Sequence, residues 1–294
     1  MDRKFIATLF LMLSAGSVFS QPKTEREILG LKGPVRSVAI EREEWREYRG
    51  KLTKMERQPQ DTLIFDVQGR QIEIFHYLNG LFEDRVTFDH DDKGRLIERV
   101  NHWMGREPSA KTTYTYDAKG NLAEELVSNG IKVIYSYDPK GRKSSSTSFD
   151  LARNEGERFV PVDGRVIKYA YDDMGHLSDV SYFNADGSKD TNFIFKAHRI
   201  VYAYDIEDRR IETALYQTDG ALLGKWKHAY DEKGNMIEQA FSNSDGSLRS
   251  KLTNKYQFDS AGNWVKEIRE TQTIEESKLV SKPAAITYRK IIYF

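Results

Sequence analysis

Tyr116-Asp117-Ala118-Lys119-Gly120 is the stretch that decides the fold, because variants of it occur eight times. The others are Phe65-Asp66-Val67-Gln68-Gly69, His90-Asp91-Asp92-Lys93-Gly94, Tyr137-Asp138-Pro139-Lys140-Gly141, Tyr171-Asp172-Asp173-Met174-Gly175, Tyr204-Asp205-Ile206-Glu207-Asp208, Tyr230-Asp231-Glu232-Lys233-Gly234 and Phe258-Asp259-Ser260-Ala261-Gly262. The Asp-to-Asp steps are 25, 26, 21, 34, 33, 26 and 28 residues. Self-similarity at such a period marks a repeat architecture, in which each unit packs mainly on its neighbours.

Working outward from Asp117, Lys111 to Tyr116 alternates polar and aromatic residues, the period of a strand. Asp117-Ala118-Lys119-Gly120 turns the chain, Asn121 to Ser128 returns, and Asn129-Gly130 turns it again. The motif aspartate can accept backbone N–H bonds within its turn, and the glycine supplies the positive φ that a type I turn with a bulge requires. The second turn class recurs as Asn79-Gly80, Asp186-Gly187, Asp219-Gly220 and Asp245-Gly246, a strong hairpin signal. Asp208 replaces the expected glycine in one copy; aspartate is among the few residues that visit that region.

Two residues before the motif aromatics stand Leu63, Phe88, Tyr114, Tyr135, Tyr169, Tyr202, His228 and Tyr256. Equal parity on a strand means one face. The expectation is a column of rings, each packed on the repeat before it. The aspartates 66, 91, 117, 138, 172, 205, 231 and 259 and the glycines 69, 94, 120, 141, 175, 234 and 262 are read as turn residues and not as a catalytic set.

The phrases YDAKGNL, YDPKGR, YDDMGHL and YDEKGN resemble the tyrosine–aspartate repeats of Rhs proteins, over roughly residues 62–264. The resemblance implies an all-β chain of hairpin repeats in a long, curved antiparallel sheet, and a preference for the cell exterior. In large members the sheet closes into a shell around a toxic C-terminal domain. Here only about 30 residues follow the last repeat, and eight repeats are few for a shell. The expected form is therefore an elongated, open sheet, with encapsulation, self-cleavage and toxicity not carried over.

Outside the repeats, residues 34–45 read as a first strand, residues 41–61 as a charged hairpin arm, and residues 285–294 as a strand capping the last repeat. The two longest steps, with Ser144 to Asp163 and Phe183 to Lys196, read as extended loops on one side of the array. Met1-Asp2-Arg3-Lys4 followed by the apolar run Phe5 to Phe19 reads as a secretory signal peptide over residues 1–20, cleaved near Ser20/Gln21. The run is short for a spanning helix and no cysteine follows it to carry a lipid anchor. The mature chain, residues 21–294, reads as one domain, secreted or periplasmic, with no membrane span.

Lys plus Arg equals Asp plus Glu, at 45 each, which gives no global signal for nucleic acid. The chain has no cysteine, hence no disulfide and no thiolate metal site. The six histidines form no zinc spacing, and no nucleophile elbow or phosphate loop is present. Asp89 to Gly94 resembles the start of a calcium loop but carries Lys93 and Val100 where ligands belong; no metal or cofactor is expected. The candidate ligand-binding residues are Trp45, Trp103, Trp226 and Trp264, able to stack on a sugar or anchor a protein; packing within the sheet is the competing reading, which their alternating segments favour.

The leading reading is a non-enzymatic binding or scaffolding module at the bacterial cell exterior, meeting a protein or glycan and self-associating through open sheet edges. Two others compete. One is a carbohydrate-active hydrolase with an acidic pair in the long loops; the other is an accessory or remnant of a polymorphic toxin system.

Overall fold

The computed structural model describes residues 23–104, 110–128, 130–150, 164–192, 195–275 and 278–294. The signal segment and most of the first long loop lie outside these.

Alternation and turn chemistry give the wall of the molecule. Odd-numbered strands from β3 to β17 run into the motif turns and even-numbered strands return: β3 (Gln58–Phe65), β4 (Gln71–Leu78), β5 (Leu81–His90), β6 (Leu96–Trp103), β7 (Ala110–Tyr116), β8 (Leu122–Val127), β9 (Ile131–Tyr137) and β10 (Lys143–Asp150). The pattern continues through β11 (Val166–Tyr171), β12 (Leu177–Phe183), β13 (Arg199–Tyr204), β14 (Arg210–Tyr216), β15 (Leu222–Tyr230), β16 (Met236–Asn243), β17 (Leu248–Phe258), β18 (Trp264–Glu275) and β19 (Lys278–Tyr293). Each motif turn carries a register shift beside its aromatic residue, as between Thr115 and Tyr116. A bulge of this kind strengthens twist.

The sheet is not open. β1 (Val35–Tyr48) pairs on one side with β3 and on the other with β19. Of the nineteen strands, β2 (Lys51–Lys54) pairs with β1 alone, which leaves eighteen in a closed antiparallel barrel. This corrects the expected open sheet: the first and last strands, read as an end strand and a cap, meet each other. Ser37 to Glu44 pairs with Ala285 to Ile292 over a continuous ladder, so each satisfies the edge the other would expose.

Among the described residues, one of the two buried apolar clusters sits at this seam. Leu31, Val35, Val38 and Phe65 are buried, with Ile40, Leu63, Ile291 and Tyr293 against them. A one-turn helix, α1 (Glu25–Ile28), sits here with a Thr24/Glu27 capping box. Glu25 accepts from the Gln71 backbone N–H, and Arg26 donates its backbone N–H to the Gly69 carbonyl.

Two local expectations also change. The polar run at 144–148, read as loop, forms strand β10, with Ser146 opposite both Tyr135 and Ile167. The second long loop does not extend away. Ala197 is fully buried with Ile200 and Leu215, and Phe195 packs on the Trp226 ring at 5.2 Å. Gly224 leaves room for Phe241 on the other side of Trp226: a Cβ there would meet the Phe241 ring and the Ser242 carbonyl at 2.6 Å.

Candidate functional site

The motif turns repeat one polar device. Asp91 Oδ1 accepts from the backbone N–H of Lys93 and Arg95, and Oδ2 accepts from Arg95 Nε at 2.7 Å. Asp138 with Arg142 and Asp205 with Arg209 repeat this bonding, and Asp117 holds Asn121 in the same way. These bonds, led by the Arg95 side chain, hold the Asp91 carboxyl below the usual range. The oxygens of Asp91 that a calcium ion would need already serve the turn.

The residue after the glycine then reaches the next repeat. The Arg95 guanidinium lies 4.4 Å from the centre of the Tyr116 ring, Arg142 lies 4.5 Å from Tyr171, and Arg209 lies 5.3 Å from Tyr230. His176 stacks on Tyr204 at 4.7 Å. Each of these tyrosines donates its hydroxyl to a backbone carbonyl of the preceding repeat: Tyr116 to Leu96, Tyr171 to Lys143, Tyr204 to Leu177 and Tyr230 to Arg210. The expected ring-on-ring column is therefore a column of rings joined by cations. Strand and turn patterns give this post-glycine position no role, although Arg70, Arg95, Asn121, Arg142, His176, Arg209, Asn235 and Asn263 occupy it at constant spacing.

Asp208, the departure from the repeat, has φ +61° and a partner. His176 bridges the carboxylates of Asp172, at 3.0 Å, and Asp208, at 2.9 Å. Its hydrogen bond with Asp172 leads the causes that raise its pKa above the ordinary 6.5. His228, in the column, is pulled down to about 4, by burial first and then by the Arg210 charge.

Charge lies on both faces of the wall. The register places Glu98 opposite Thr113, away from Tyr114, and Glu98 pairs with Lys111. The same arrangement recurs in Glu73–Arg85, Glu124–Lys132, Asp179–Arg199, Glu212–Lys225 and Glu238–Lys251, each joining an even strand to the next odd one. The aromatic face carries Asp61, His76 and Asp84 in one cross-strand row, with His76 Nδ1 at 2.7 Å from Asp61.

The four tryptophans are not brought together. Trp45 pairs with Lys54 at the foot of the β1–β2 hairpin. Trp226 is wedged between Phe195 and Phe241, and Trp264 lies under the Arg289 guanidinium at 3.4 Å. Trp103 is 40 % exposed, and it belongs to a rim. Leu78, Leu81, Phe82 and Met104 are exposed beside it, at the end of the barrel opposite the motif turns. Tyr48, Leu52 and Met55 on the β1–β2 hairpin are exposed at the same end. In the described part of the second long loop, Asp186 accepts from Ser188, and Asp190 pairs with Arg165 at 2.9 Å.

The profile of the teneurin YD-shell family matches residues 33–221, well over half of the chain. The chain belongs to that family. The match covers the seam strand and the first six motifs. No curated protein sequence matches this YD-shell chain. Among solved structures, a porin-like protein from Bacteroides uniformis is 12% identical, with a TM-score of 0.46, covering 89% of this chain and 98% of its own. A porin-like protein from Bacteroides vulgatus is 11% identical, with a TM-score of 0.26, covering 87% of this chain and 97% of its own.

Proposed function

We propose that this YD-shell protein is an exported, non-catalytic binding or scaffolding module that works in water and meets its partner, a protein or glycan of the cell exterior, through the apolar rim. The rim carries the reading: at one end of a wall laced with ion pairs, Leu81 is 73% and Met104 71% exposed. Exposed apolar side chains also stand at the motif-turn tips, as Val67, Met174 and Ile206, but one to a turn; at the rim Leu78, Leu81, Phe82, Trp103 and Met104 gather on neighbouring strands, the usual mark of a contact site.

Work in water is supported by the charge on both faces. A lipid-facing barrel needs an outward apolar band about 25 Å tall, on strands of roughly 9–11 residues. Strands β8, β11 and β13 have six residues each, and neither face is free of charge. Export is supported by the basic-then-apolar start of the chain.

A photo-crosslinking residue at position 81, compared with one at Thr115 on the wall, tests the reading in the producing cell. Adducts from position 81 alone, in the exported fraction, support it. Adducts from Thr115 alone, or retention of the chain in the cytoplasm, overturn it.

A further inference from the structure

Seven of the eight junctions that follow a motif turn are filled by a side chain of the protein. Arg70 reaches the Gly94 turn. Arg95, Arg142, His176 and Arg209 lie on the next ring. After the seventh turn, where Asn235 is too short, Lys233 lies 4.2 Å from the centre of the Phe258 ring. After the eighth, Asn263 donates to the Tyr293 hydroxyl at 2.8 Å.

The junction after the third turn differs. Asn121 spends its side chain on Asp117 and does not reach Tyr137. Among the described residues, no cation and no ring lies on the face of Tyr137, although its hydroxyl makes the usual bond, to the Leu122 carbonyl. An open hollow of about 480 Å³ remains, lined by Asp117, Asn121, Tyr135, Tyr137 and Asp138 among others. The neighbouring Tyr135 ring is already covered by the Lys143 ammonium at 4.0 Å. Lys119, the counterpart of Lys233, also lines the hollow, but it is exposed and does not lie over the ring.

We propose that this hollow is a binding site for a planar cation, the guanidinium of an arginine side chain presented by a partner, which stacks on Tyr137 where Arg95, Arg142 and Arg209 stack on their tyrosines. The ring supplies the face, as in other cation–π contacts, and Asp117, whose side-chain partner is the neutral Asn121, supplies the negative field, while Asp138 is spent on Arg142. Planarity and delocalised charge select guanidinium over ammonium on such a face. The proposal deepens the binding-module reading by naming a ligand class. The site lies at the motif-turn end, away from the rim, so either can fail alone.

The test is ligand-observed NMR on the mature chain with Nα-acetyl-arginine methylamide as the probe, beside its citrulline and lysine counterparts. Saturable binding of the arginine probe is expected, with citrulline at least tenfold weaker and lysine weaker than arginine. Asn121→Arg places the repeat's own guanidinium on Tyr137 and should weaken arginine binding at least tenfold, while circular dichroism stays unchanged. Tyr137→Leu, which removes the ring, should do the same and serves if Asn121→Arg misfolds. Lys119→Ala, which removes the competing cation, should strengthen binding. No saturable binding, equal binding of citrulline, or full binding by Asn121→Arg or Tyr137→Leu would overturn the proposal.

Discussion

The seam and the repeat wall hold the same barrel together by different physics. At the seam, long strands that belong to no repeat meet over an apolar cluster; among the described residues, Phe65, Val35 and Val38 are three of the four largest fully buried side chains. Along the wall, most side chains are half-buried, and the junctions rest on a lattice of aspartate, cation and tyrosine. The wall gains many small, local terms that each depend on the next repeat. The seam closes a loop of more than 200 residues, since Lys32 and Asn263 bond across 231 positions. Such a closure needs a concentrated apolar contribution against its entropy.

Removing a ring from the seam should have the largest effect. Phe65→Ala is expected to cost about 3–5 kcal/mol, read by urea denaturation, with hydrogen exchange rising first in β1, β3 and β19. Equal loss of protection across β7 to β14 would break the distinction between seam and wall.

The wall should reveal itself through pH. His228 is neutral when folded, with a pKa of about 4 against an ordinary 6.5. A depressed histidine contributes stability that is complete above pH 6.5 and is lost as pH falls toward 4, a span worth about 3 kcal/mol. Acid titration of the melting temperature should show this loss, and His228→Tyr should flatten it.

A single rung should matter less. Tyr171→Phe keeps the ring under Arg142 and deletes the bond to the Lys143 carbonyl. The expected cost is about 1 kcal/mol by chemical denaturation. A cost of several kcal/mol would mean that the rungs act as one network and not as separate terms.

The smallest effect belongs to the irregular rung. Asp208→Gly relieves the positive φ and removes one partner of His176, so the net change should stay within about 1 kcal/mol. His176, raised by its carboxylates, contributes stability below pH 6.5 that is lost as pH rises through its folded value. An NMR titration should show its pKa move down toward the ordinary value in the variant. An unchanged pKa would show that Asp172 alone sets it.

Much of the wall was legible because its causes are local. Tyr116, Asp117 and Gly120 declare a strand end and a turn within five residues. Asn121 was just as visible, but its meaning lies in the neighbouring repeat, which strand parity does not describe. Alternation favoured Trp226 packing within the sheet but not what covers it, because Phe195 comes from a loop that alternation could not place. Serines 144–146 looked like loop by composition and became strand because β9 and β11 supply ladders on both sides.

The sequence by itself determined an all-β repeat protein, the positions of its turns and the parity of its aromatic column. These follow from φ preferences and a period of two, which act over a few residues. Only the tertiary structure decided that β1 joins β19, that most motif rings meet a side chain from the preceding turn, and that no cation of the described residues lies on Tyr137. Each of those depends on which side chains meet across strands or repeats, and the energy of meeting is not written at either position alone.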